Sequence, residues 1–319
     1  MWRRVILPCL TSLAIYATLF SLVLDRPLSL GLLRQMLDAK LARGAAIEGR
    51  KLVIIAGSNA LYSDRCETMQ PLLGMACVNG GAVLGVGLDY LFARWETRLH
   101  PGDIVYLPME EAQYTRPDAA SSVGPDAAIM FRHDWTTLAA LSPYRMLGAA
   151  FCFNPRAALM SLIETALVWS GFQDPRAADV GTTNAWGDHV GHTEALGAAN
   201  ATHLSMMVPY HPSAAAIASG DGTATIRHFI DWADAHGVTV VGGLPAGFAP
   251  SPVPDATRAA IRAVYTEAGA RFVDLHDGYP VSAFFDTPDH LNEAAQIQHS
   301  RAIAGALLPI VAPAQAASR

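Results

Sequence analysis

The chain is short of charge, and what charge it has is dispersed. Only 16% of its 319 residues are Asp, Glu, Lys or Arg, and no run of Lys or Arg occurs. With a net charge of −6 and a pI near 6.0, it lacks the basic patch by which nucleic-acid binders hold phosphate, so no nucleic acid is expected as a partner. The same shortage, set against 51% hydrophobic residues, excludes a disordered chain, which needs many charges and few apolar side chains. Cysteine is scarce. Cys9, Cys66, Cys77 and Cys152 are too few for a disulfide scaffold and lack zinc-site spacing. Internal repeats and heptad arrays are absent, and so, with one exception, are uncharged runs of 20 residues made mostly of Leu, Ile, Val, Ala and Phe.

The exception is residues 5–24, which carry no charge and follow Arg3 and Arg4. As a helix rising ~1.5 Å per residue, the segment reaches about 30 Å, the thickness of a bilayer's hydrocarbon core. The two arginines ahead of it fit a cytoplasmic N-terminus under the positive-inside rule. A cleaved signal peptide would have an apolar stretch of about 7–15 residues and small residues at its end. Here the run is longer and ends Leu24-Asp25-Arg26-Pro27. The expectation is a single-pass signal-anchor, with a cleaved signal and a buried core helix as the alternatives. The remainder is then extracytoplasmic, in the periplasm on an inner membrane if the cell has two membranes.

The length suits one large domain or two small ones. Residues 31–43 have helical spacing and are expected to link the anchor to the domain. Lys51 to Ala56 is a short continuous apolar run, the mark of a strand buried on both faces. A helix at 63–74, a strand at 76–79, a helix at 84–99 and a strand at 104–109 follow. Further on, the spacing predicts helices at 221–236 and 254–268, strands at 238–241 and 272–275, and a last helix at 291–308. Alternating strands and helices imply a parallel sheet covered on both faces. The fold class expected is therefore α/β, a three-layer α/β/α sandwich, with an N-terminal transmembrane helix and a helical insertion. The boundaries are a cytoplasmic N-terminus at 1–4, the anchor at 5–24, a linker helix at 25–50 and the α/β domain at 51–310. The insertion falls at about 115–220: a loop at 115–127, mostly helix at 134–172 with a break at Asn154-Pro155, then a stretch rich in Gly, Asn, His and Pro. A flexible tail occupies 311–319.

Gly57-Ser58-Asn59 follows the first buried strand. In an open parallel sheet, ligands bind outside the carboxyl ends of the strands, so Ser58 stands where a nucleophile would, with Asn59 beside it. The same residue types are also good helix N-caps. A serine hydroxyl needs a base, and the candidate is His290 in Asp286-Thr287-Pro288-Asp289-His290-Leu291-Asn292, just before the final helix. A nearby acid would hold the imidazole tautomer. Asp286 is favoured, because the side chains of adjacent residues such as Asp289 and His290 point apart, and Asp289 is the alternative.

These segments resemble the SGNH (GDSL-like) hydrolase and acyltransferase superfamily. The resemblance rests on Gly57-Ser58-Asn59-Ala60-Leu61, on Val78-Asn79-Gly80-Gly81 with Gly85-Val86-Gly87-Leu88, on residues 101–110 and on residues 286–292. The chain is most similar to the membrane-anchored bacterial branch, which includes the alginate O-acetylation proteins, the lipoteichoic-acid D-alanylation protein and SGNH-type proteins encoded beside cellulose synthases. The resemblance implies a flavodoxin-like sheet, a Ser58 nucleophile and an oxyanion hole from the Gly80 amide, with Gly81 as the register alternative and the Ser58 N–H as second donor. It also implies acyl chemistry, O-acetyl above all, on an exported polysaccharide, with a membrane-bound O-acyltransferase as partner. The family's hydrolases carry an Asn after the third strand as a further donor. Here that place holds Met109-Glu110-Glu111, and a carboxylate repels an oxyanion, so Glu110 is expected to orient a residue or hold a loop. A plain periplasmic esterase and a catalytically inactive scaffold remain the alternatives.

Asn184-Ala185-Trp186-Gly187-Asp188-His189, with His192 nearby, is the other polar cluster. It is read as a loop, with Asn184 as a candidate contact for substrate. His189, His192 and Asp188 have the residue types of metal ligands but no convincing third ligand, and neither a metal nor a cofactor is expected. Cys66 and Cys77 flank the first crossover helix. The sequence leaves open whether they form a disulfide or stay as buried thiols.

Overall fold

Leu52, Val53 and Ile54 offer apolar side chains to both faces of a strand, which is stable only between two helical layers. The computed structural model, which describes residues 2–23, 30–82, 84–117, 131–152, 155–172, 182–275 and 278–312, encloses them so. In chain order, α1 (Trp2–Val23) and α2 (Leu30–Ala46) precede β1 (Lys51–Ile54). Then α3 (Ser58–Ser63) and α4 (Cys66–Leu73) lead to β2 (Ala76–Asn79), and α5 (Leu88–Glu96) to β3 (Ile104–Leu107). After α6 (Glu111–Thr115) come α7 (Trp135–Leu141), α8 (Pro143–Ala150) and α9 (Pro155–Trp169). The chain continues through short helical turns to α10 (Asp221–Ala235), β4 (Thr239–Gly243) and β5 (Gly247–Phe248). It closes with α11 (Asp255–Thr266), β6 (Arg271–Val273), β7 (Gly278–Tyr279) and α12 (Glu293–Val311).

Five strands form one parallel sheet in the order β2-β1-β3-β4-β6. The chain moves from β1 outward to β2, then crosses back over β1 to β3. With right-handed crossovers, that reversal puts successive helices on opposite faces. Accordingly α3, α4 and α12 pack together, while α5, α10 and α11 form the other layer, where Phe92 stacks on Phe229 at 4.2 Å. The crevice outside the carboxyl ends of β1 and β3 is the topological switch point, where sheets of this kind bind ligands.

By their internal contacts the residues divide into two compact units, 1–35 with 119–181, and 36–118 with 182–319. The segment expected as one insertion at 115–220 is thus split, because 182–220 packs with the sheet. In the first unit, α1 is long and apolar enough to cross a membrane, and nearly all of it is exposed. Its Tyr16 lies 5.3 Å from Phe151, and Phe20 meets Phe131 edge-on at 5.6 Å.

The helix expected at 63–74 is interrupted, since Asp64 and Arg65 are extended between α3 and α4. The small parallel pair β5–β7 was not anticipated; two-residue strands carry no readable alternation. The expected break at Asn154-Pro155, most of the 115–127 loop and most of the tail lie outside the described residues or at their edge. Cys66 and Cys77 are joined in a disulfide, with Cα atoms 5.2 Å apart, which pins the start of α4 to β2. Closing so short a loop removes roughly 3 kcal/mol of unfolded-chain entropy. The double variant Cys66→Ser/Cys77→Ser is therefore expected to lose about 2–3 kcal/mol, read as a lower urea midpoint.

Candidate active site

Immediately beyond β1 the chain turns at Gly57, and Ser58 opens α3. The turn is held by its amides. Gly57 N–H donates to Gln113 Oε1 (3.2 Å) and Asn59 N–H to Glu110 Oε1 (3.1 Å). Glu110 and Gln113 also form the capping box that starts α6 beyond β3, so the two sides of the switch point are tied across the crevice. A Cβ at Gly57 would strike the Glu110 carboxylate, so a larger residue here would displace the group that accepts the Asn59 N–H. Among the described residues, the Ser58 N–H is the amide of this turn that has no acceptor.

His290 arrives from the far end of the chain. The loop before α12 is pinned by buried Phe284 and Leu291, which pack with Phe248 and Tyr279. Phe285 N–H donates to His290 O (2.8 Å), and the bend brings Asp286 and His290 side by side. His290 Nε2 lies 2.9 Å from Ser58 Oγ, and its Nδ1 lies 2.7 Å from Asp286 Oδ1. With Nδ1–H donating to the carboxylate, Nε2 is left to accept the Ser58 hydroxyl proton. Burial works to raise the Asp286 pKa, but the hydrogen bond and charge of His290 with two backbone N–H donors outweigh it, and the carboxyl sits below the usual range. Asp289 makes no bond to the ring. Its backbone carbonyl accepts from Ser63 Oγ (3.1 Å), and burial raises the pKa of its carboxyl.

The imidazole of His290 lies flat on Tyr62, with centroids 4.1 Å apart, and His189 packs on the same tyrosine at 4.2 Å. Burial lowers the pKa of His189 and of neighbouring His192 to about 4, so both are neutral rings. Tyr62 did not stand out in the sequence, although its place four residues after Ser58 puts it on the same helix face. Ser58, Glu110, Met207, Val208, Asp289 and His290 line a cleft of about 270 Å³. An adjoining recess of about 180 Å³ shares Glu110 and Asp289 and holds His211. That ring is clamped between Glu111 Oε2 (2.7 Å) and Ser251 Oγ (3.1 Å).

Other expected site residues are engaged elsewhere. Gly80 N–H donates to Ile54 O (2.7 Å), continuing the β1–β2 ladder, and Gly81 N–H donates to Asn79 Oδ1 (3.1 Å). Neither amide is a free oxyanion donor in this structure. The buried Asn59 side chain is engaged with the chain just beyond β3, donating to Pro108 O (2.7 Å). Asn184 serves its own loop, accepting from the Trp186 and Asp188 amides and donating to Asp188. That loop is fastened to the sheet edge rather than poised over the cleft: Trp186 O accepts from Asn79 N–H, and Asp188 accepts both Cys66 and Glu67 N–H at the start of α4. Glu110, whose pKa is raised by burial and by Asp289, braces the turn that carries Ser58. Among the described residues no group of three or more His, Cys, Asp or Glu side chains is arranged to hold a metal ion.

Behind Ser58, the wholly buried Asp64 has no partner for Oδ1. Burial, reinforced by the Asp188 carboxylate, raises its pKa to about 8. Unfolded, the group ionises near its ordinary 3.8. Between those values the folded state binds more protons, so its contribution is full below about pH 4 and is lost as pH rises through about 8. Asp64→Asn keeps the shape without the titration. Its melting temperature is expected to match the parent near pH 4 and to exceed it increasingly toward pH 8. Parallel melting curves across that range would show that Asp64 ionises normally.

No family model matches the chain, and no curated protein matches it. Among solved structures it is similar to the protein YxiM of Bacillus subtilis, at 12% identity and a TM-score of 0.38. The alignment covers 83% of this chain and 57% of that one, so the chain spans little more than half the length of that structure.

Proposed function

We propose that the chain is an esterase-type serine enzyme in which Ser58 is the nucleophile, His290 the general base and Asp286 the group that orients the base. The observation that carries this reading is the unbroken hydrogen-bonded series from Ser58 Oγ through His290 to Asp286, at a cleft on the carboxyl edge of the sheet. A serine hydroxyl attacks only as a base takes its proton. Ser58 Oγ bonds to the ester carbonyl carbon, its proton passes to His290 Nε2, and the carbonyl electron pair moves onto oxygen. When the tetrahedral intermediate collapses, the ester C–O bond breaks and the leaving oxygen takes the proton from His290, giving acyl-Ser58. A second hydroxyl, from water or a sugar, then gives its proton to His290 and attacks the acyl carbon; as that intermediate collapses, the bond from the acyl carbon to Ser58 Oγ breaks and His290 Nε2 returns the proton to Oγ. Asp286 stabilises the imidazolium between the steps.

The finer reading, supported by the sequence resemblance, is transfer of O-acetyl groups to an exported polysaccharide. A membrane-bound O-acyltransferase would supply the acyl group on the periplasmic side of an inner membrane. The scarcity of oxyanion donors points to slow acyl chemistry with either acceptor. Each donor is worth about 10²–10³ in rate in measured cases. Here the Gly80 and Gly81 amides are committed, and a carboxylate, Glu110, lines the cleft. The test is to incubate the full-length protein with an aryl acetate, locate any acetyl group by peptide mass, and follow acetate release with and without oligosaccharides. The expected result is one acetyl group on Ser58, slow acetate release and acetylated sugar. Fast release indifferent to sugar would identify a plain esterase, and no acylation at Ser58 would identify an inactive scaffold.

A further inference from the structure

α9 is apolar on nearly every side. Arg156 in its first turn and Glu164 are its charged residues. Leu159, Ile163 and Leu167 recur every four residues along one stripe and are 58%, 42% and 45% exposed. Leu147 in α8, Phe151 after it and Phe172 beyond α9 are exposed as well. A protein surrounded by water rarely leaves so continuous an apolar face uncovered, and a helix apolar all round is normally enclosed by protein or lipid.

What surrounds this face follows from its neighbour. α9 packs against α1, and Phe151 and Phe131 meet Tyr16 and Phe20 in the last third of that helix. If α1 spans the bilayer, helices packed on its C-terminal third lie at the depth of the leaflet that this end reaches. At ~1.5 Å per residue α9 reaches about 22 Å, short of the ~30 Å hydrocarbon core. We infer that α8 and α9 are embedded in that leaflet beside α1 without crossing it, so that the chain holds the membrane through an anchor helix and a second, non-spanning foot. The occupant of the exposed face is therefore lipid acyl chain. This inference rests on reading α1 as membrane-spanning and is independent of the chemistry at Ser58.

The experiment uses the full chain carrying Cys9→Ser and Cys152→Ser, with Cys66 and Cys77 left paired. It is reconstituted at low density in phosphatidylcholine–phosphatidylglycerol vesicles. Single variants Ile163→Cys, Leu167→Cys, Leu13→Cys and Glu48→Cys are labelled with an environment-sensitive fluorophore and exposed to lipids bearing a nitroxide on the acyl chain. Emission is expected to fall about twofold or more at 163, 167 and 13 and to stay unchanged at 48, as burial in acyl chains requires. Quenching at 13 but not at 163 or 167 overturns the inference while leaving the anchor intact. No quenching at 13 removes the anchor and the inference together. Protection from a water-soluble thiol reagent at 163 and 167 that appears only at high protein density, without lipid quenching, would mean that a second copy covers the face, which also overturns it.

Discussion

Ser58→Ala and His290→Ala are each expected to lower acyl turnover by about 10³-fold or more, and the double variant to be scarcely worse than either alone. The non-additivity is the diagnostic part. Ser58 Oγ and His290 Nε2 are 2.9 Å apart, so removing either one leaves the other with no proton to give or take. Asp286→Asn is a softer test of the same series. An amide can donate its N–H to His290 Nδ1, which favours the tautomer that cannot accept from Ser58, and a loss of about 10²–10⁴ is expected. Asp289→Asn, which touches no ring atom of His290, should lose far less. Fold is expected to survive all four changes, since Ser58 and His290 border the cleft and Asp286 is partly exposed. The measurement is aryl-acetate turnover with melting temperature as control. Full activity in Ser58→Ala would remove Ser58 as the nucleophile.

The sheet was legible because its strands are buried on both faces and so read as uninterrupted apolar runs, with Val and Ile repeated in β1 and β3. Ser58 and His290 were legible for a positional reason: each directly adjoins a readable element, a strand end and a helix start. What could not be read lies in contacts between segments distant in the chain. Asp188 looked like a loop residue, yet it caps α4 from more than a hundred residues away. This tertiary cap, with Asp64 and Arg65 extended, is why a helix that periodicity extends from 63 to 74 starts afresh at Cys66. Gly80 was expected as an oxyanion donor only because the resemblance implies one there. Only the register, in which Gly80 N–H continues the ladder to Ile54 O, shows that its proton is already committed. Burial without charge pairing is equally silent in sequence. Lys40 reads as a linker residue, yet its ammonium is buried against Gly81 O and its pKa is lowered to about 7 by that burial, with Asp188 pulling it back up.

Lys51→Met is expected to destabilise the sheet unit by about 3–5 kcal/mol, the usual cost of leaving one member of a buried ion pair alone. Lys51 Nζ lies 2.6 Å from Asp103 Oδ2, with side chains 0% and 1% exposed. The carboxylate also accepts the Lys51 N–H on Oδ1 (3.0 Å) and the His100 N–H on Oδ2 (2.8 Å), clamping the start of β1 to the turn that precedes β3. Without the ammonium, Asp103 keeps two backbone N–H donors but loses the buried charge that lies against Oδ2 and offsets its desolvation. Asp103→Asn should be comparably harmful, because it strands the ammonium instead. The double variant Lys51→Met/Asp103→Asn removes both charges and keeps a carbonyl oxygen for the backbone donors, so its loss should fall well short of the sum of the two single losses. Thermal or urea unfolding of the full chain in detergent, followed by circular dichroism, measures all three. The clamp sits at the amino ends of the strands, opposite the edge that carries Ser58. Turnover per folded molecule should therefore be unchanged, even where a loss of this size consumes much of a typical domain's 5–15 kcal/mol of stability. A loss below about 1 kcal/mol in Lys51→Met would mean that water reaches Asp103 and that the pair is not sealed in the sheet.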